Sequence, residues 1–339
     1  MVYHDIDIPL PAFIVIDWVG MTIALIPIVL RFWVRSRESQ QRLLTLDLSD
    51  SLVLLSWLSG MVLISINTWK NSLRQRYVHL PPDELYYSVP RPLSSHLLYV
   101  SWVSLFFIYI SLWAAKFALL AFFASFLRRM EKKSTRVVLV CACVFTGATF
   151  LLHMVLLTAW CSPVSSNWDI EGRLCSAVHD IKSVSISTAA NIATDLVILA
   201  VPIFAFFTLS RERRGLTMRT GMGKAEISGI VFVLCMAALS IVAALARWIT
   251  LLLVQNVPKA NITHTIDVWA LVEIVAGLVA VCLPSLRSFV RKQREGGTRK
   301  KLAKNHSERR EYIILEEGDA SWRANRQFRT SGAEHATRV

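Results

Sequence analysis

The chain has 339 residues, of which 54% are hydrophobic and only 18% charged; its mean hydropathy is +0.47 and its net charge +13. Soluble domains carry about a quarter charged residues, so this composition excludes an ordinary water-soluble globular protein. The basic excess does not point to a nucleic-acid partner, because the Lys and Arg residues lie between apolar runs and membrane topology accounts for them.

Crossing a hydrocarbon core of roughly 30 Å takes about 20 apolar residues in a helix. Seven runs meet that length, at about 12–34, 50–69, 97–126, 137–160, 182–209, 226–255 and 267–290. Inside lipid each backbone donor and acceptor has to be paired within its own element, and these unbroken runs suit helices rather than the ten-residue alternation of barrel strands. The fold class expected is all-α: a polytopic seven-transmembrane helix bundle over 12–290, with a short N-terminal segment, 1–11, and a tail, 291–339. The leader MVYHDIDIPLP carries no Lys or Arg and no small-residue cleavage site follows, so the first run is read as a span and not as a signal peptide.

Orientation follows from the basic residues. With the N-terminus outside, the cytoplasmic loops hold Arg31, Arg35, Arg37 and Arg42, then Arg128, Arg129, Lys132, Lys133 and Arg136, then Arg211, Arg213, Arg214, Arg219 and Lys224. The outer segments hold Lys70, Arg74, Arg76, Arg91, Arg173, Lys182 and Lys259, about half as many, which is the asymmetry of the positive-inside rule. Seven spans then place the C-terminus in the cytoplasm, and a multi-pass protein of the plasma membrane is expected. The basic cluster RKQREGGTRKKLAK at 291–304 follows the last run directly. It reads equally as a contact with anionic lipid or as a stop-transfer anchor, and the rest of the tail is expected to be largely disordered.

Cys161 and Cys175 fall in one outer loop, CSPVSSNWDIEGRLC, where an oxidising face favours a bridge between them. The other four cysteines, Cys141, Cys143, Cys235 and Cys282, lie within runs and read as small packing groups. Asn261, in the sequon Asn261-Ile262-Thr263, is a glycosylation candidate between the sixth and seventh runs.

Ionised groups inside the runs are the candidate site. Lys116 lies in the third, Asn191 and Asp195 one turn apart in the fifth, Arg247 in the sixth and Glu273 in the seventh. A charge at the bilayer centre costs about 2.5 to 3.5 kcal/mol on insertion scales, so each should face inward and find a partner. With a helical rise of about 1.5 Å per residue, Glu273 and Arg247 fall at a similar shallow depth and Lys116 and Asp195 at a deeper one. The expected pairs are therefore Arg247 with Glu273, and Lys116 with Asp195. Such a network either locks the packing or lines a ligand site, and both readings stand at this point.

Catalysis is not expected. His153 is the one His inside a run, no second His or Cys stands at metal-ligand spacing, and Ser185, Ser187 and Thr188 read as small interface residues. No cofactor or metal is expected. The partners expected are the lipid bilayer, a small-molecule or surface ligand, and a cytoplasmic signalling protein.

LWAAKFALLAFFASFLRR in the third run, the CSPVSSNWDIEGRLC loop, NIATDLVILAVP, ALARW and VWALVEIVAGLVAVCLPSLRSF, in this order, resemble the fungal rhodopsin-domain family of seven-helix, receptor-like membrane proteins. The likeness covers about 12–292 and rests on Lys116, Cys161, Pro163, Trp168, Cys175, Asn191, Asp195, Pro202, Arg247, Trp269, Glu273 and Pro284 together. It implies a receptor-like protein. One departure is at the second run, where LDLSDSLVLLSW has Asp50 and a later Trp57 in place of the family's Asp-Asp-Trp. Retinal is not expected despite the name, since 267–290 contains no Lys to carry it. The alternative is a transporter or channel using Lys116, Asp195, Arg247 and Glu273 as a relay; no internal repeat supports it.

Overall fold

A computed structural model describes residues 9–37, 44–81, 84–127, 133–171, 175, 180–215, 238–246, 248–249, 252 and 267–282. Five helices are long and apolar: α1 (Leu10–Arg37), α2 (Leu44–Arg76), α3 (Arg91–Leu127), α4 (Lys133–Ala159) and α5 (Ile181–Gly215). Helical backbone also occupies 238–246, called α6, and 267–282, called α7. The chain is a mostly helical, polytopic membrane protein. Cys235, Arg247, the sequon at Asn261, the end of the seventh run from 283 and the tail at 291–339 lie outside the described residues.

The helices are longer than the apolar runs that announce them. The second run ends at Trp69, whereas α2 continues to Arg76; the third begins near Leu97, whereas α3 begins at Arg91. Hydropathy marks the part of a helix that touches lipid, and intrahelical hydrogen bonding carries the helix on past it. Lys70 and Arg74, assigned above to an outer segment, are therefore inside α2 and buried, and Arg31, assigned to an inner loop, is buried in α1.

Faces are sorted as lipid requires. Val15, Val144, Leu151 and Phe207 are each at least 60% exposed, while buried positions carry small and polar residues as well as apolar ones. Helix α3 is central and touches α2, α4 and α5, and α1 packs on α2. One apolar core joins Met21, Ala24 and Ile28 of α1, Val53 and Leu63 of α2, Leu112 and Trp113 of α3, and Leu271, Ile274 and Leu278 of α7. A second joins Leu120, Phe123 and Leu127 of α3, Leu139 and Ala142 of α4, and Ile198, Val201 and Ala205 of α5. With no water to drive association, close contact depends on small residues. A methyl group on Gly60 of α2 would sit 2.7 Å from the Met21 Cε, and one on Gly277 of α7 would sit 3.5 Å from the Ala115 Cβ.

The α2–α3 connection holds a small hairpin pairing Leu85 with Pro90 and Tyr86 with Val89. Its two turn residues, Tyr87 and Ser88, both have positive φ, 56° and 68°, as a two-residue turn of the primed type demands. The α4–α5 connection carries the disulfide Cys161–Cys175 and a short 3-10 turn, Val164–Asn167. Its Trp168 packs against Tyr99 and Trp102 of α3, and the Trp168 carbonyl accepts from Ser95 at 2.8 Å. The bridged loop is thus tied to the same end of α3 as the hairpin.

Unfolding in denaturant followed by maleimide-polymer labelling should give four adducts before reduction, at Cys141, Cys143, Cys235 and Cys282, and all 6 cysteines after it. Six adducts before reduction would show the bridge to be absent.

Candidate functional site

Four of the five polar residues singled out within the runs meet in the middle of the bundle. The Lys116 ammonium lies 2.8 Å from Asp195 Oδ1. It also donates to Asn191 Oδ1 at 2.6 Å and to the Asn191 carbonyl at 3.2 Å. Asn191 Nδ2 in turn donates to Glu273 Oε1. The second Asp195 oxygen accepts from Ser240 of α6 at 2.9 Å. A single chain of contacts therefore runs from α6 through α5 and α3 to α7.

Donor and acceptor chemistry fixes the order of this chain. Lys is donor only and a carboxylate acceptor only, so an amide between them has to turn its oxygen to Lys116 and its nitrogen to Glu273. The spacing of Asn191 and Asp195, one helical turn, lets one ammonium reach both. The Trp113 ring, three residues before Lys116 on α3, lies 4.9 Å from the ammonium and adds a cation–π contact.

Glu273 thus joins the deeper group rather than standing apart from it. Arg247, its expected partner, is outside the described residues. Its neighbour Trp248 donates to Ser185 of α5 at 2.9 Å, so this part of the sixth run lies along α5.

Above Lys116 on α3 the network continues as a polar ladder. His153 is fully buried, with Nδ1 2.7 Å from the Thr149 carbonyl and Nε2 3.2 Å from the Ser187 carbonyl. Its ring packs on Trp113 and Tyr109, and the Tyr109 hydroxyl lies 3.1 Å from Ser187 Oγ. Along α5 the buried polar residues are Ser183, Ser187, Thr188, Asn191, Thr194 and Asp195. Beyond Asp195 the same helix buries Ile198, Val201 and Ala205, which join the second apolar core. On α5, over its described side chains, the buried polar face therefore reaches from the disulfide-bearing end to Asp195 and stops.

Two further charge clusters went unnoticed in the sequence. Near the disulfide-bearing end, Lys70 of α2 lies 3.3 Å from Asp267 of α7, and Asp17 of α1 is bonded to Asn67 of α2. Arg74 is buried within reach of the Asp267 charge. At the other end Arg31 of α1 reaches Asp50 at 2.8 Å, and Arg35 pairs with Asp50 as well. Asp17 stands alone in its run and was legible as a charge; Lys70, Arg74 and Arg31 stand at run ends, where a charge ordinarily reads as solvated.

Among the described residues, no group of three or more His, Cys, Asp and Glu side chains could hold a metal ion. A groove of about 690 Å³ between α2 and α3, lined by Met61, Ser65, Trp69 and His96 among others, shares no residue with the central network.

Residues 30–292 match the fungal rhodopsin domain, and the chain belongs to that family of membrane proteins. No curated protein and no solved structure matches it.

Removing one member of a buried ion pair typically costs about 3 to 5 kcal/mol, whereas replacing both by apolar residues of similar volume is often neutral. Lys116→Met should therefore lower the thermal midpoint of the detergent-purified protein sharply, and adding Asp195→Leu should recover most of the loss. A double variant no more stable than the single one would refute the pairing.

Proposed function

We propose that the chain is a receptor-like seven-span membrane protein of the plasma membrane, without retinal. In this reading a small-molecule or surface ligand reaches it from the outer face, and its basic cytoplasmic loops pass the response to a signalling partner. The observation that carries the reading is the abrupt end of the polar face of α5. A path for ions or substrate needs polar lining at both ends, whereas here Ile198, Val201 and Ala205, packed on Leu120, Phe123 and Leu139, follow directly on Asp195. A polar face that ends on α5 within the bundle, with the Arg31 cluster beyond it occupied by its own contacts, suits ligand sensing from the disulfide-bearing end.

Placing the disulfide-bearing end outside is supported by chemistry and by charge. The Cys161–Cys175 bridge fits an oxidising compartment. Burial of Lys70 and Arg74 within α2 removes them from the outer tally, and burial of Arg31 removes one residue from the inner one, so the inner excess remains. The seven-span count adds the runs at 226–255 and 267–290 to the five long helices. Lys116, Asn191, Asp195 and Glu273 engage one another, and this reading gives them no catalytic role.

Three measurements test this. Tags on the two termini should be found on opposite sides of the membrane by protease protection in sealed vesicles. Proteoliposomes should show no proton or potassium flux under an imposed potential, while Glu273→Gln should change the emission of a dye attached at position 129. Flux that disappears in Asp195→Asn would replace the receptor reading with a transporter or channel.

A further inference from the structure

Helix α7 is held at three heights, each by a different buried group. Asp267 near its start accepts from Lys70 at 3.3 Å, Glu273 accepts from Asn191, and the Val281 carbonyl accepts from Arg31 Nη1 at 2.6 Å. The first two holds grip side chains; the third grips the backbone, and so fixes the position of the helix itself.

Arg31 is 0% exposed, and its three kinds of nitrogen go to three acceptors. Nε donates to Asp50 Oδ1 at 2.8 Å, Nη2 to Ser49 Oγ at 2.8 Å, and Nη1 to Val281. Ser49 Oγ in turn donates a hydrogen bond to the Ala118 carbonyl at 2.7 Å, two residues past Lys116 on α3. The guanidinium also touches the Cys282 thiol. One planar group on α1 thus engages α2 and α7 directly and α3 through a hydroxyl. The two distant helices, α3 and α7, are those that carry Lys116 and Glu273. Such an arrangement fits only one placement of α7, because a rigid fork cannot follow a carbonyl that slides away while Asp50 and Ser49 hold its other arms.

We propose that Arg31 is a latch: a positioning residue that sets where α7 lies against α1, α2 and α3 at the end opposite the disulfide. The inference deepens the receptor reading and rests on it for its purpose, since a latch here would receive movement from the Glu273 level. Arg35 backs it by pairing with Asp50, so that carboxylate is held from two successive turns of α1.

The test is hydrogen exchange followed by mass spectrometry on the full chain in lipid nanodiscs. Arg31→Lys keeps the charge and a contact to Asp50 but cannot span three acceptors. It should leave the thermal midpoint within a few degrees, yet speed exchange over 278–282 at least about tenfold, with no change over α4. Ser49→Ala, which removes one arm and the link to Ala118, should give a smaller rise at the same place. Unchanged exchange at 278–282 in a folded Arg31→Lys protein would overturn the latch, as would a rise spread evenly through α4. A matching rise at 278–282 in Glu273→Gln ties the latch to the central network. A latch effect without any response to Glu273→Gln would keep the latch and count against the receptor reading instead.

Discussion

An ammonium ion in hydrocarbon has to be met by a counter-charge, and the contact of Lys116 with Asp195 meets that requirement. Much else follows from it. The contact turns the polar face of α5 toward α3, and the same rotation brings Asn191 under the ammonium and within reach of Glu273. Ser240 then completes the second oxygen of Asp195. Four helical segments are oriented by satisfying one charge, and the apolar cores fill the space on either side.

Charge also divides the bundle along its length. The three ionic clusters draw on different helices: α1, α2 and α7 near the disulfide, α3, α5 and α7 in the middle, and α1, α2 and α7 again at the far end. Among the described residues only α7 takes part in all three, through Asp267, Glu273 and Val281. A helix with this many polar obligations packs where it does because of them, and its small residues, Ala270, Ala276 and Gly277, leave room for the close approach they require.

The five long helices were legible in the sequence because lipid contact writes itself as unbroken apolar runs. The meeting of Lys116 with Asp195 was legible from depth alone, since both lie far from either end of their helices. The contact of Asn191 with Glu273 was not, because a neutral amide gives no charge signal that could be matched by depth. Lys70 and Arg74 escaped for another reason. They follow the last apolar residue of their run, and nothing in a single sequence tells a buried charge in the final turns of a helix from a solvated one in a loop. The hairpin at Leu85–Pro90 gave no signal either, because Tyr87 and Ser88 stand where a turn of this kind usually has Asn-Gly.

Asn191 is neutral but not symmetric. Its amide has a cation on one flank and a carboxylate on the other, so only one of its two planar orientations is favourable; half a turn would set NH₂ against NH₃⁺ and oxygen against oxygen. The group carries no net charge, yet it has a polarity that its neighbours dictate. Neutralising either flank would free that end and leave the other to decide alone. An isosteric carboxylate at position 191 could not do the same: it would hold Lys116 and repel Glu273.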